Sequence, residues 1–397
     1  MSRLFASIFF LSVVLFSPLH SYPEPLDEIA WKILTESPEF SLQNYSLESV
    51  SKNLKTSSNL PDPEIGAEYL VAPVREDNRW AAELSWSLEW PGVYGARAKD
   101  AESKIIAAEK DLSYQRSQRL AEIKDLLLDY VQCRLKLEIL HELTINNDTI
   151  YRLAHHAAKG GEMTLLDLNK VKLEYANIRG AKAALLDEEA SILADLTRIY
   201  GKDCSETLSH LDCVFPEIVL PSYEEISNIR NAAPEVVAAA ALAHTARQSK
   251  KVATMEALPS LSLGYKHQYE EGTHFNGAML GISIPIFSSR GKQKAARADI
   301  AEAEFKTEST ANEIEAEAIA ILKQLEIAKQ QIDEITPLME DIDYNTALLK
   351  AYKGGVITLI EYIADRNYFT NAALELVTLR HSAAKARFRL LKYLPSH

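Results

Sequence analysis

The chain has 397 residues, of which 43 are Lys or Arg and 56 are Asp or Glu, giving a formal charge of −13. That balance, with no clustering of the basic residues into a stripe, excludes an electrostatic footprint for nucleic acid. The length alone suits two or three ordinary domains, but the pattern along the chain argues for one integrated body.

Residues 1–21 read as a secretory signal peptide. Arg3 supplies a positive start, Leu4 to Phe16 is an apolar run too short to span a bilayer, and Pro18 and the small Ser21 set cleavage near residue 21. The alternative is an uncleaved anchor. No cysteine lies near that site, which argues against a lipid-modified N-terminus, and no later stretch reads as a transmembrane helix. An exported chain of this kind is periplasmic, secreted, or inserted as a β-barrel, because only helices and closed barrels satisfy their backbone in lipid.

The first strand pair follows. In residues 64–72, Ile65, Ala67, Tyr69 and Val71 alternate with Glu64, Gly66 and Glu68. In residues 80–90, Trp80, Ala82, Leu84, Trp86, Leu88 and Trp90 alternate with Ala81, Glu83, Ser85, Ser87 and Glu89. A period this regular predicts strands with one apolar and one polar side. Eleven residues match a tilted transmembrane strand, and tryptophans at both ends suit aromatic girdles at two lipid interfaces. An ordinary half-buried antiparallel sheet gives the same alternation. Pro73 to Asn78 reads as the closing turn.

From about Gly95 to Lys159 the composition is that of one very long helix, on the order of 90 to 100 Å. Leu120, Ile123, Leu127 and Tyr130 keep three-four spacing, as do Val171, Tyr175 and Ile178, then Leu185, Ile192, Leu196 and Ile199, on a returning arm. Lys182 and Glu189 interrupt that seam, so the coiled-coil packing is imperfect. Gly160 and Gly161 turn the chain between the arms. Thr164 then precedes Asp167 by three residues, a capping-box spacing that explains the acid as helix N-terminal stabilisation. His155 and His156 near this turn read as a solvated or packed pair. Beyond the returning arm, Cys204 and Cys213 could pair in an oxidising compartment or be two unpaired core residues, and Cys133 reads as packing.

The second half repeats the plan. Leu261, Leu263, Tyr265, His267 and Tyr269 form one alternating face, Ala278, Leu280, Ile282 and Ile284 another, with Glu270 to Asn276 as the turn. A helix from about Gly291 to Lys353 follows, in which Pro337 is expected to bend or break the run. Gly354 and Gly355 turn the chain, Thr358 and Glu361 repeat the capping spacing, and an arm returns from Ile357 to Leu394. The segment Ala158 to Asp167 thus reappears as Tyr352 to Glu361 at an offset of 194, and Pro38, Pro61 and Pro91 pair with Pro234, Pro259 and Pro285. The division expected is a first repeat over 22–222 (strands about 62–90, hairpin about 95–200, waist about 201–222) and a second over 223–397 (strands about 260–287, hairpin about 291–394).

These residues together resemble the TolC family of outer-membrane efflux channels. The likeness rests on the two glycine turns followed by Thr, Leu and an acid, on Trp90-Pro91-Gly92-Val93-Tyr94-Gly95-Ala96-Arg97, on the Pro61-Asp62-Pro63 lead-in, and on Ile284-Pro285-Ile286-Phe287. It covers nearly the whole mature chain. The resemblance implies a mixed α/β membrane protein in which four strands per chain join a twelve-stranded barrel shared by a homotrimer, since roughly eight strands are the minimum for closure. Long helical hairpins would continue it as a periplasmic tunnel, whose tip opens when a periplasmic adaptor (membrane fusion) protein and an inner-membrane pump of the RND type dock. By position, Asp167, Glu361 and the neighbouring Asp365 would line the entrance, with Gly160, Gly161, Gly354 and Gly355 at the tip turns. Rings of such acids attract cations. The arginine that the family carries two residues after the second turn is Ile357 here, and its next acid is Ala364. Trp80, Leu84, Trp86, Leu88, Trp90, Leu261, Tyr265, Leu280 and Ile282 would meet outer-membrane lipid. The Trp90 to Arg97 segment and the length look most like the branch serving heavy-metal pumps. A multidrug outlet, a type I secretion outlet and a periplasmic coiled-coil adaptor are the alternatives. No catalytic constellation, cofactor loop or metal-ligand cluster is legible, so an enzyme is not expected.

Overall fold

The computed structural model describes residues 25–71, 73, 78–340 and 344–393. The signal segment and most of the first strand turn lie outside these residues. Two helices, α1 (Pro25–Thr35) and α2 (Pro38–Thr56), lead into strands β1 (Glu64–Leu70) and β2 (Arg79–Leu88). Helix α3 (Pro91–Lys159) then runs for 69 residues, about 100 Å at 1.5 Å per residue. It turns into α4 (Leu165–Tyr200), followed by the short α5 (Ser205–Leu208) and α6 (Tyr223–Ala232). The second half comprises α7 (Pro234–Met255), β3 (Ser260–Glu270), β4 (Thr273–Ser283), α8 (Lys292–Glu340), α9 (Tyr344–Lys353) and α10 (Leu359–Leu391).

Several boundaries differ from the sequence expectation. Strand β2 stops at Leu88, and Trp90 is the N-cap residue of α3, with Pro91 at the first helical position where its missing N–H costs nothing. The second strand turn is two residues, Glu271 and Gly272, both at positive φ, so β3 and β4 extend into what reads as a loop and Ile284 falls beyond the strand. Helix α8 does not break at Pro337 but continues to Glu340. The proline costs the helix one backbone hydrogen bond without ending it. Helices α2 and α7, opened by Pro38 and Pro234, were not anticipated as elements. Their signal was present in Ser37, which accepts the Phe40 amide at 3.2 Å, and in the two prolines.

The four strands form one antiparallel sheet in the order β1-β2-β3-β4. Its register aligns the alternating faces without a slip: Ile65, Leu84, Tyr265 and Ala278 form one cross-sheet row, and Leu88, Leu261 and Ile282 another. At the sheet–helix junction Arg97 bridges Glu89 (2.6 Å) and Glu256 (2.8 Å), tying the start of α3 to the end of α7. The main core lies well down the helices. Leu26, Ile29 and Ile33 of α1 pack on Ile123, Leu127 and Val131 of α3, Leu196 of α4 and Phe388 of α10. The polar interruptions of the α3–α4 seam are partnered: Glu189 meets Arg134 at 3.3 Å and Lys182 meets His141 at 3.3 Å. Cys133, Cys204 and Cys213 are all free thiols, so the unpaired alternative holds. Among the described residues no helix is long and apolar enough to cross a membrane.

Candidate functional site

The chain turns between α3 and α4 and again between α9 and α10, in the same way each time. Glu162 N–H donates to Ala157 C=O (2.9 Å), and Val356 N–H to Ala351 C=O (3.0 Å), the six-to-one bond of a Schellman ending. Gly161 (φ 80°) and Gly355 (φ 69°) hold the left-handed position, where an L side chain is strained although space is open. Gly160 and Gly354 do not need that conformation. The two turns come together: Ile150 and Ala154 of α3, Leu168 and Val171 of α4, Leu348 of α9, and Tyr362 and Ile363 of α10 share one cluster.

The two acids sit at matching helix starts with different partners. The Thr358 hydroxyl accepts the Glu361 amide (3.3 Å), while the Glu361 carboxylate accepts from Thr358 N–H (2.8 Å) and Thr358 Oγ1 (2.9 Å), a full capping box. Asp167 is one methylene shorter. Its amide donates to Thr164 Oγ1 (3.1 Å), and its carboxylate accepts from that hydroxyl (2.8 Å) and from Lys170 Nζ (3.2 Å). Bonds from the Thr358 amide and hydroxyl hold the Glu361 carboxyl below its ordinary range, and the Thr164 hydroxyl and Lys170 do the same for Asp167. Both acids are therefore anionic at neutral pH and solvated. Asp365 is half-buried further along α10.

Sequence reasoning missed Arg366, one residue on. Its side chain is 2% exposed and gives one hydrogen bond, from Nη2 to Asn147 Oδ1 at 2.8 Å. Nε, Nη1 and the amide nitrogen of Asn147 are sealed from solvent with no acceptor. Burial pushes the guanidinium pKa down, and the Tyr362 ring lies 5.8 Å away. The spacing of Tyr362, Arg366 and Thr370, all buried, was the available signal, since it puts an arginine on the packed side of a helix.

At the other end of the molecule, Trp80, Leu84, Trp86, Leu88, Leu261, Tyr265, Leu280 and Ile282 share one face of the sheet, and Trp90 lies off it at the helix cap. This face is uncovered: Ile65 is 84% exposed, Leu280 82% and Ile282 69%. Trp86 reaches a polar partner there through its indole, Nε1–H donating to Pro61 C=O at 2.8 Å. Beside the β3–β4 turn this face carries His267, His274 and Asn276; away from it the apolar stretch is larger than soluble monomers ordinarily expose to water. Among the described residues no three His, Cys, Asp or Glu side chains are grouped to hold a metal ion.

No protein-family model matches the sequence, and no curated protein matches it. Solved structures do. The Campylobacter jejuni CmeC outer membrane channel superposes with a TM-score of 0.76 at 17% identity, covering 93% of this chain and 85% of that one. CusC, whose structures concern folding and transmembrane channel formation, gives 0.74 at 13% identity over 94% and 92%. The outer membrane protein VceC of Vibrio cholerae gives 0.73 at 16% identity over 93% and 95%. At such identities the likeness is one of fold.

Proposed function

We propose that this chain, which has the fold of the TolC-type outer-membrane channels, is the homotrimeric outer-membrane channel of a tripartite efflux system. It is a passive conduit and not an enzyme, fed by an RND-type inner-membrane pump through a periplasmic adaptor protein. The observation that carries the reading is the registered apolar face of the sheet, with Trp80, Leu84, Leu261, Tyr265, Leu280 and Ile282 exposed, at one end of a helix about 100 Å long. Lipid covers such a face, and four strands are too few to close a barrel alone. Three chains supply twelve. Leu166 and Leu173 on α4, and Phe305, Ile319 and Ile327 on α8, are exposed in the single chain and support contacts between copies. In this reading the chain starts with a cleaved signal peptide, its two halves are structural repeats, and the helices extend into the periplasm.

At the tip, Gly160, Gly161, Gly354 and Gly355 form the turns, and Asp167, Glu361 and Asp365 give the entrance its negative charge. Cations are therefore favoured over anions at that constriction. The finer reading, export of heavy-metal cations, is supported by the resemblance of the Trp90 to Arg97 segment. Susceptibility of a deletion strain to zinc, cobalt, copper and silver salts, beside dyes and antibiotics, tests it. Sensitivity confined to drugs would move the channel to a multidrug pump. The channel reading itself is tested by Leu84→Arg or Leu88→Arg, each of which is expected to abolish assembly in the outer membrane. Normal assembly of both variants would return the sheet to water and overturn the proposal.

A further inference from the structure

We infer that His267 and His274 form a two-histidine site for a divalent transition cation of the zinc class at the outer end of the β3–β4 hairpin. The inference rests on the hairpin alone and not on the channel reading. The register sets His267 opposite Asn276 and Tyr269 opposite His274, so the two histidines are diagonal neighbours on one face, two residues apart along the ladder. The tight turn at Glu271 and Gly272 fixes that diagonal, because a two-residue loop leaves no freedom to slip the register. His267 Nε2 and His274 Nδ1 are 3.3 Å apart. Two imidazole nitrogens bound to tetrahedral zinc at about 2.0–2.1 Å are themselves separated by about 3.3–3.4 Å. The pair therefore already has the bite of a chelate.

The surroundings hold it in that form. Asn276 Oδ1 accepts from Tyr265 Oη (2.7 Å) and lies 2.6 Å from His267 Nδ1. An oxygen at that place puts the His267 proton on Nδ1 and leaves Nε2 with a lone pair that accepts from His274 Nδ1–H. A bound cation takes the place of that proton as His274 shifts to its Nε2–H tautomer, and the Asn276 contact is the orienting arrangement usual behind a metal-bound histidine. The rings are braced as well: His267 lies 5.1 Å from the Trp80 ring, and His274 5.0 Å from Tyr269. His274 is exposed, so water can complete the coordination, and neutral imidazole suits zinc, copper and nickel rather than magnesium or calcium. Bound there, the ion would cross-link β3 to β4 beside their turn.

The test is a calorimetric titration of Zn²⁺ into the metal-stripped full chain in detergent at neutral pH. His155→Gln/His156→Gln serves as the parent, removing the other adjacent histidine pair. One Zn²⁺ per chain is expected in that parent, no binding in its His274→Gln derivative, and binding weaker by about tenfold or more in Asn276→Ala. An isotherm unchanged in His267→Gln/His274→Gln would overturn the inference. So would a parent that takes up no saturable zinc, or one that binds Mg²⁺ equally well.

Discussion

The two tip turns share a backbone and differ in what hangs on it. At the offset of 194 residues, Asp167 matches Glu361, Val171 matches Asp365, and Lys172 matches Arg366. On the first side Val171 is buried and Lys172 is exposed; on the second Asp365 is half-buried and Arg366 is sealed inside. The first turn is therefore built conventionally, with an apolar core and a solvated cation. The second carries a desolvated guanidinium held by one neutral acceptor. Burial strips the guanidinium of its hydration, and Glu174 and Tyr362 offset that only in part, so the second hairpin is expected to be the less stable of the two. Capping works in the opposite direction, because Glu361 completes the reciprocal box that Asp167 is too short to close. The teaching is that matching turn chemistry leaves the relative energetics of the two hairpins undetermined.

Breaking the Arg366 contact gives the largest effect. Asn147→Leu removes the Oδ1 acceptor of Arg366 and is expected to destabilise the tip by about 3 kcal/mol or more, whereas Arg366→Met is expected to be neutral or stabilising by about 1–4 kcal/mol. Lys172→Met at the matching site should stay within about 0.5 kcal/mol. Chemical denaturation of the four proteins checks the order, and a destabilised Arg366→Met would remove the argument. Next, Gly161→Val and Gly355→Val should each cost about 1–3 kcal/mol through backbone strain alone, equally on both sides. Unequal costs would mean that the turns are less alike than their hydrogen bonds.

Thr358→Ala should cost about 1 kcal/mol and exceed Thr164→Ala, since only Thr358 serves a full box. Hydrogen exchange of the first-turn amides of α10 and α4 measures both. The same experiment run against pH tests the acids. Each has a folded-state pKa below its ordinary value, 3.8 for Asp167 and 4.5 for Glu361. Their contribution is thus fully present above those values and is lost as pH falls through the lowered ones. Protection that instead declines on raising the pH would contradict the assignment. The smallest effect belongs to the proposed channel role: if these acids line its entrance, Glu361→Gln should reduce cation selectivity of the reconstituted protein more than Asp167→Asn, because Lys170 already offsets Asp167.

What the residues determined by themselves is local and periodic. Alternation in 80–88 and 261–269 fixed the strands and their apolar side, because a period of two leaves no choice of face. Gly161, Gly355, Thr164 and Thr358 fixed the turns and caps, because positive φ and N-cap geometry select few residue types. Boundaries at Trp90 and around Glu271 escaped, since a tryptophan after Leu88 continues the pattern even where the helix has begun. Only the tertiary structure decided that the two turns share a core, that Arg366 faces into it, that Cys204 and Cys213 stay unpaired, and that His267 meets His274. Each of these depends on which helix face or strand neighbour is presented, a relation between residues as far as 219 positions apart in the case of Asn147 and Arg366, and no local propensity encodes a contact of that range.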